Sequence, residues 1–145
     1  MSMLNYGLYA NLTRFVAFGA APPGQAELMG IEATGLAACV PGNALAALYH
    51  ALAQAYRHTG LEQAIAEHHQ GGVSGYQARE MLATAASALE MRCGMALAFN
   101  PSVAGNKIED TFLLTGHGLE DLTLDLDWPA AEVAGRLRPL WLELG

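Results

Sequence analysis

Two places in this sequence carry residues that could do chemistry. The first is His68-His69-Gln70-Gly71-Gly72-Val73-Ser74-Gly75-Tyr76, where a histidine pair precedes a run of glycines. Histidine is the usual metal ligand and acid–base residue near neutral pH, and glycines let a backbone come close to a bound group. The same glycines are what turns with positive φ require, so the loop also has a purely structural reading. The second is Met95–Thr115, MALAFNPSVAGNKIEDTFLLT, where Glu109 lies inside an apolar strand. An isolated buried carboxylate is expensive, so Glu109 needs a partner, a metal or water. His50 and His58 fall on the polar flank of a helix and His117 falls in a turn; all three read as surface residues. No H-E-x-x-H, phosphate-binding loop, G-x-S-x-G or zinc-knuckle spacing occurs.

These residues must be positioned by the elements around them. Met95, Leu97 and Phe99 alternate with Ala96, Ala98 and Asn100, the period of a strand. Pro101–Asn106 makes a bend, and Lys107–Thr115 a second strand. That strand puts Ile108, Asp110, Phe112 and Leu114 on one face and Glu109, Thr111, Leu113 and Thr115 on the other, so Asn100 can face Glu109 across the hairpin. Upstream, Gly7–Phe18 reads as a strand and Gln25–Val40 as a helix. Gly30 and Gly35 each cost that helix about 1 kcal/mol unless close packing offsets it. Pro41-Gly42 ends it, and Asn43 is placed as N-cap of a helix over Ala44–Thr59, whose face is Leu45, Leu48, Tyr49, Leu52 and Tyr56. The histidine segment reads as a polar loop. Gln77–Met81, Leu119–Leu126 and Arg138–Leu144 read as short strands, and Trp128-Pro129 as a turn or brief helix. Two helices followed by a run of strands give an α+β class, in a single domain over residues 1–145.

With 52% hydrophobic and 14% charged residues, the chain can bury a real core. A net charge of −7 and scattered basic residues argue against a nucleic-acid partner. No stretch is long and apolar enough for a membrane span. Residues 1–7 lack the pattern of a secretory leader. Cys39 and Cys93, with no C-x-x-C spacing, read as reduced, core-type thiols in a cytoplasmic protein.

Several stretches together resemble the prolidase, aminopeptidase P, methionine aminopeptidase and creatinase family, the pita-bread metallopeptidases. Gly7–Arg14, GLYANLTR, resembles the strand of the family's second metal Asp. Pro41-Gly42 before a long helix matches. His68–Glu80, HHQGGVSGYQARE, resembles the histidine loop. Gly94–Thr123 resembles the two glutamate strands together with the segment after them. The resemblance implies a partial pita-bread fold, two helices on a mostly antiparallel curved sheet, forming the C-terminal part of the catalytic domain. It also implies two divalent metals, manganese, cobalt or zinc, held by two Asp, one His and two Glu and activating a water against the peptide carbonyl.

Position by position, most of that ligand set is replaced. The first Asp would fall just before Met1. Asn11 stands for the second Asp and Asn100 for the first Glu, while Glu109 keeps the last. An ungapped register puts Gly72 at the metal His and His68 at a substrate-side His; a short shift makes His69 the ligand. Arg79 stands where a further active-site His is usual. His68 and His69 are thus catalytic candidates, and His68, Tyr76 and Arg79 substrate-side ones. Alternatively, Tyr76, Arg79 and Glu80 form a structural salt-bridge and packing set.

Three lost carboxylates remove the charge that two divalent cations need, so no metal cofactor is expected. The leading expectation is a Xaa-Pro peptidase-like pseudoenzyme that binds a peptide or protein. The alternatives are a creatinase-like, metal-independent hydrolase using His68 or His69 as base, or a peptidase fragment completed by another polypeptide. The resemblance implies two similar halves, of which this sequence supplies the second. The Gly7–Phe18 edge is then expected to be covered by a homodimer or a partner domain.

Overall fold

Periodic apolar spacing makes the helices, and the sheet closes under them. The computed structural model describes residues 2–5 and 7–145. The leader reading over residues 1–7 falls partly on Met1 and Tyr6, which lie outside the described residues. The chain begins with strands β1 (Ser2–Asn5), β2 (Leu8–Asn11) and β3 (Val16–Phe18). Helices α1 (Gln25–Ala37), α2 (Leu45–His58) and the short α3 (Ala64–Glu67) come next. Then come β4 (Gly71–Ser74), β5 (Met81–Leu82), β6 (Ala96–Phe99), β7 (Ser102–Val103), β8 (Asn106–Lys107), β9 (Asp110–Thr115) and β10 (Gly118–Asp121). The chain closes with β11 (Ala130–Val133), β12 (Arg136–Pro139) and β13 (Leu142–Leu144).

The main sheet is five-stranded, in the order β10-β9-β6-β4-β5, with every pairing antiparallel. Its buried face carries Leu97, Phe99, Phe112 and Leu114, packed against Leu28 and Ile31 of α1 and Leu45, Leu48, Leu52 and Tyr56 of α2. This is the α+β arrangement expected, with a short third helix. Gly35 lets the two long helices approach: a Cβ there would lie 2.6 Å from Leu52 Cδ2. A Cβ on Gly30 would meet no packed neighbour within 4 Å among the described residues, so packing gives that glycine no role.

Five expectations need correction. Gln77–Met81 is not a strand: only Met81 belongs to one, β5. Residues 7–18 are two strands, not one. Leu8–Asn11 pairs with β1, and Val16–Phe18 pairs in parallel with β13. Asn43 does not cap α2; its Nδ2 donates to the Ala38 carbonyl at the end of α1, and Ala44 begins α2 with no side-chain cap. The glycine segment after His69 is a central strand rather than a loop. Gly71 has φ 109°, and a Cβ on it would collide with the Ala98 carbonyl oxygen of β6, so only glycine lets the strands pair there. The C-terminal strand is broken at Leu140-Trp141, and residues 130–139 form a hairpin that the sequence pattern did not indicate.

Candidate functional site

Beyond the open end of the β6–β9 pair lies a pocket of about 230 Å³. Its lining is Asn11, His68, His69, Ala78, Arg79, Asn100, Lys107 and Glu109. Six of these residues were singled out from the sequence, and the fold brings them together from four segments. The register explains how. Phe99 pairs with Asp110, so the next positions outward, Asn100 and Glu109, stand at the same level. Thr13 bridges to Glu109, which brings β2 and Asn11 over the face of β9 that bears Glu109 and Thr111. There the Asn11 amide N–H donates to Thr111 Oγ1 at 2.7 Å, and Thr111 Oγ1 donates back to the Asn11 carbonyl at 2.9 Å.

The histidines ride on the segment entering β4. Gln70 is buried and ties that segment down: its Nε2 donates to the His68 carbonyl at 2.6 Å and to the Ile65 carbonyl at 3.2 Å. Tyr56 of α2 shares its hydroxyl proton between Gln70 Oε1 and the Ser102 carbonyl, both at 3.0 Å, and accepts from the Ser102 N–H at 2.7 Å. One buried side chain thus fixes both rims of the pocket. The two imidazoles lie side by side, ring centroids 4.4 Å apart, and both are exposed. His68 Nδ1 sits 2.7 Å from the His69 carbonyl. Burial, the neighbouring His68 and the charges of Arg79 and Lys107 lower the His69 pKa against the opposing pull of Glu109, so His69 is neutral near pH 7.

Glu109 has found its partners inside the chain. Its Oε1 accepts from Arg79 Nη2 at 2.9 Å. Its Oε2 accepts from Lys107 Nζ at 2.9 Å and from Thr13 Oγ1 at 2.7 Å. Burial alone would raise its pKa; the hydrogen bonds from Lys107, Thr13 and Arg79 and the charge of Lys107 outweigh that and hold it below the usual glutamate value. Asn11 is also engaged, its Nδ2 donating to Ser74 Oγ at 3.0 Å and to the Ala78 carbonyl at 3.3 Å. Asn100 is 1% exposed. Its Nδ2 is 3.4 Å from the Nδ1 of each histidine, and its Oδ1 is buried with no partner.

Three expectations change here, those for Tyr76, Arg79 and Cys93. Tyr76 does not line the pocket; it is exposed, with its ring beside Gly7. Arg79 pairs with Glu109 rather than Glu80, whose Oε1 instead accepts from the Gln77 N–H. Cys39 is buried as a core thiol, but Cys93 is exposed; both are free. His50, His58 and His117 are exposed, as their positions suggested. Sequence reasoning missed Lys107, Thr13, Gln70 and Tyr56. Lys107 alone had a readable signal, since it is two residues before Glu109 and a strand places both on one face.

The two-metal centre that the resemblance implies does not fit these residues. The pocket holds one carboxylate and two carboxamides, and cations already grip both oxygens of that carboxylate. Among the described residues, no group of three or more His, Cys, Asp or Glu is arranged to hold a metal.

The fold is that of part of a pita-bread peptidase domain. The chain superposes on the dipeptidase PepE from Mycobacterium ulcerans with a TM-score of 0.77 and 20% identity, over 99% of this chain and 38% of that one. It superposes on the prolidase from Pyrococcus horikoshii OT3 with a TM-score of 0.71 and 23% identity, over 85% of this chain and 38% of that one. It is also similar to the N-terminal domain of the FACT complex subunit SPT16 from Cicer arietinum, with a TM-score of 0.64 and 17% identity over 81% of this chain and 32% of that one. The chain thus spans 38% or less of the length of these structures. No family model matches the sequence, and no curated protein does either. No helix among the described residues is long and apolar enough to cross a membrane.

Proposed function

We propose that this chain is a Xaa-Pro peptidase-like domain that has lost the two-metal centre and serves as a peptide- or protein-binding module. One observation carries this reading: Arg79 and Lys107 both pair with Glu109, the retained ligand position. A divalent cation at Glu109 would have to displace two cationic partners and face their charges at close range. The neutral amides at Asn11 and Asn100 supply no compensating negative charge. The likeness to an SPT16 N-terminal domain, beside peptidases, is in keeping with a scaffold used for more than hydrolysis. Calorimetry with manganese, cobalt and zinc tests it. Weak or absent heat is expected, along with no hydrolysis of Xaa-Pro dipeptides in the same buffers. Tight binding of two ions per chain would overturn the proposal.

One observation favours a second reading, a metal-independent hydrolase. The His69 pKa is lowered, which leaves its imidazole able to accept a proton in the pocket that His68 also lines. If so, a panel of dipeptides and amidino compounds contains a substrate whose turnover disappears when both histidines become alanine. A panel with no turnover eliminates this reading.

The free thiols suit a reducing compartment such as the cytoplasm. The β3–β13 pair is only two strands wide, and Val16, Phe18 and Leu144 on it are exposed. A second copy or a partner domain would cover it; a monomer by light scattering would argue against the second copy.

A further inference from the structure

Resting on the peptide-binding reading, we infer that the Glu109 pocket takes a carboxylate flanked by a hydrogen-bond donor, as the C-terminal residue of a peptide presents it. The lining explains the carboxylate. Arg79 and Lys107 are positive and Glu109 is negative, which leaves one net positive charge in a chain whose overall charge is −7. The polarity of a cation site is therefore inverted. Lys107 Nζ has further capacity: an ammonium carries three donors, and among the described residues its one partner is Glu109. Arg79 Nε is likewise buried with no partner.

The donor follows from Asn100. Its side chain is almost fully buried, it lines the pocket, and its Oδ1 accepts nothing. An orphaned buried acceptor is costly, and a ligand N–H would satisfy it. A ligand that combines an anionic group with an adjacent N–H completes both unmet sets at once, whereas a bare metal ion would meet the two cations. The volume of about 230 Å³ falls below the usual range for whole small-molecule ligands, so the pocket suits one terminal residue rather than a spanning peptide.

Three small probes separate these elements: N-acetylglycine, which has both groups, N-acetylglycinamide, which lacks the carboxylate, and N-acetylsarcosine, which lacks the N–H. Titrated at millimolar concentration into the full ¹⁵N-labelled chain, N-acetylglycine should shift the amide signals of Asn100, Lys107 and Glu109 saturably. The other two should bind about tenfold more weakly or worse. Lys107→Met, which keeps the aliphatic stem, should weaken N-acetylglycine by a similar factor and leave N-acetylglycinamide unchanged. Equal binding of the amide probe overturns the carboxylate, and equal binding of the sarcosine probe overturns the role of Asn100. Glycine binding more tightly than N-acetylglycine replaces the peptide terminus with a free amino acid and overturns the proposal. No saturable shift with any probe overturns the site. These outcomes are independent of metal calorimetry: two tightly bound metal ions would sink the pseudoenzyme reading, whereas peptides that bind equally well with a C-terminal amide would sink only this inference.

Discussion

Arg138 grips Glu32 with a two-pronged ion pair, Nε to Oε2 and Nη2 to Oε1, both at 2.7 Å. The pair joins β12 to α1 in the interior and does not stand alone. Arg138 also reaches Asp110 Oδ2 at 2.7 Å and Asp121 Oδ2 at 2.8 Å, with its guanidinium over the Phe112 ring. Asp110 Oδ1 in turn pairs with Arg14 Nη2 at 2.7 Å. Arg14 adjoins Thr13, the residue that hydrogen-bonds Glu109. The network therefore backs the candidate site from the side opposite the pocket.

Glu32 should make stability fall with rising pH. Burial pushes its pKa up to about 7 from 4.5, more than Arg138 pulls it down. Its folded-state value lies above the unfolded one, so between about 4.5 and 7 the folded state holds more protons. This group's contribution is largest below that window and declines through it. Glu32→Gln cannot ionise, so it removes this part of the slope, and its deficit against the parent shrinks from about pH 5 to about pH 8. Urea midpoints of both proteins across that range check it; parallel curves would rule it out.

Removing the hub should be far worse than removing one spoke. Arg138→Met leaves Glu32, Asp110 and Asp121 without their shared cation, with Arg14 still on Asp110. Stranded buried charge of this kind costs about 3–5 kcal/mol. Arg138→Lys should not restore it, because a point-like ammonium cannot serve Glu32 with two parallel bonds while reaching two other carboxylates. Equilibrium unfolding decides this, and full stability in the lysine variant would refute the need for the fork.

How much of this was legible turns on range. The faces of α1 and α2 are local patterns, and spacing alone placed both helices within three residues of their observed ends. Asn100 and Glu109 could be set opposite each other because a hairpin is also local. Arg138 could not be read. Its alternating surroundings suggest only a strand, and its burial depends on carboxylates 106, 28 and 17 positions away. Gly71 misled for a related reason. A glycine run usually marks a loop, but here it is demanded by the Ala98 backbone on a strand far along the chain. The resemblance assembled the pocket residues, yet it could not tell that Arg79 and Lys107 would turn toward Glu109.

The two glycines of α1 should respond in opposite senses. Gly30 has open space around it in a helix interior, so Gly30→Ala should stabilise by about 0.5–1 kcal/mol. At Gly35 the same methyl would press on Leu52 and Leu48, at 2.6 and 3.2 Å, so the propensity gain is overridden by a forced shift between α1 and α2. Thermal unfolding of the two single variants should move Tm up for the first and down for the second. A stabilised Gly35→Ala would mean that the helix pair separates freely, contrary to the close contact observed.

Placing carboxylates at the two asparagine positions of the pocket should not by itself create a metal site. Asn11→Asp with Asn100→Glu changes the fixed charges of the lining from one net positive to one net negative. Arg79 and Lys107 remain, however, each already 2.9 Å from a carboxylate oxygen, and the new acids would pair with them before any ion arrived. The double variant should thus bind manganese no better than weakly. Adding Arg79→His and Lys107→Ala removes both cations and leaves three carboxylates with imidazoles beside them. The quadruple variant should bind manganese at least about 100-fold more tightly than the double, a difference of about 2.7 kcal/mol. Calorimetry on the parent, double and quadruple variants reads this directly. If the double variant already binds as tightly as the quadruple, Arg79 and Lys107 do not exclude the metal, and the absence of negative charge at positions 11 and 100 is the whole cause.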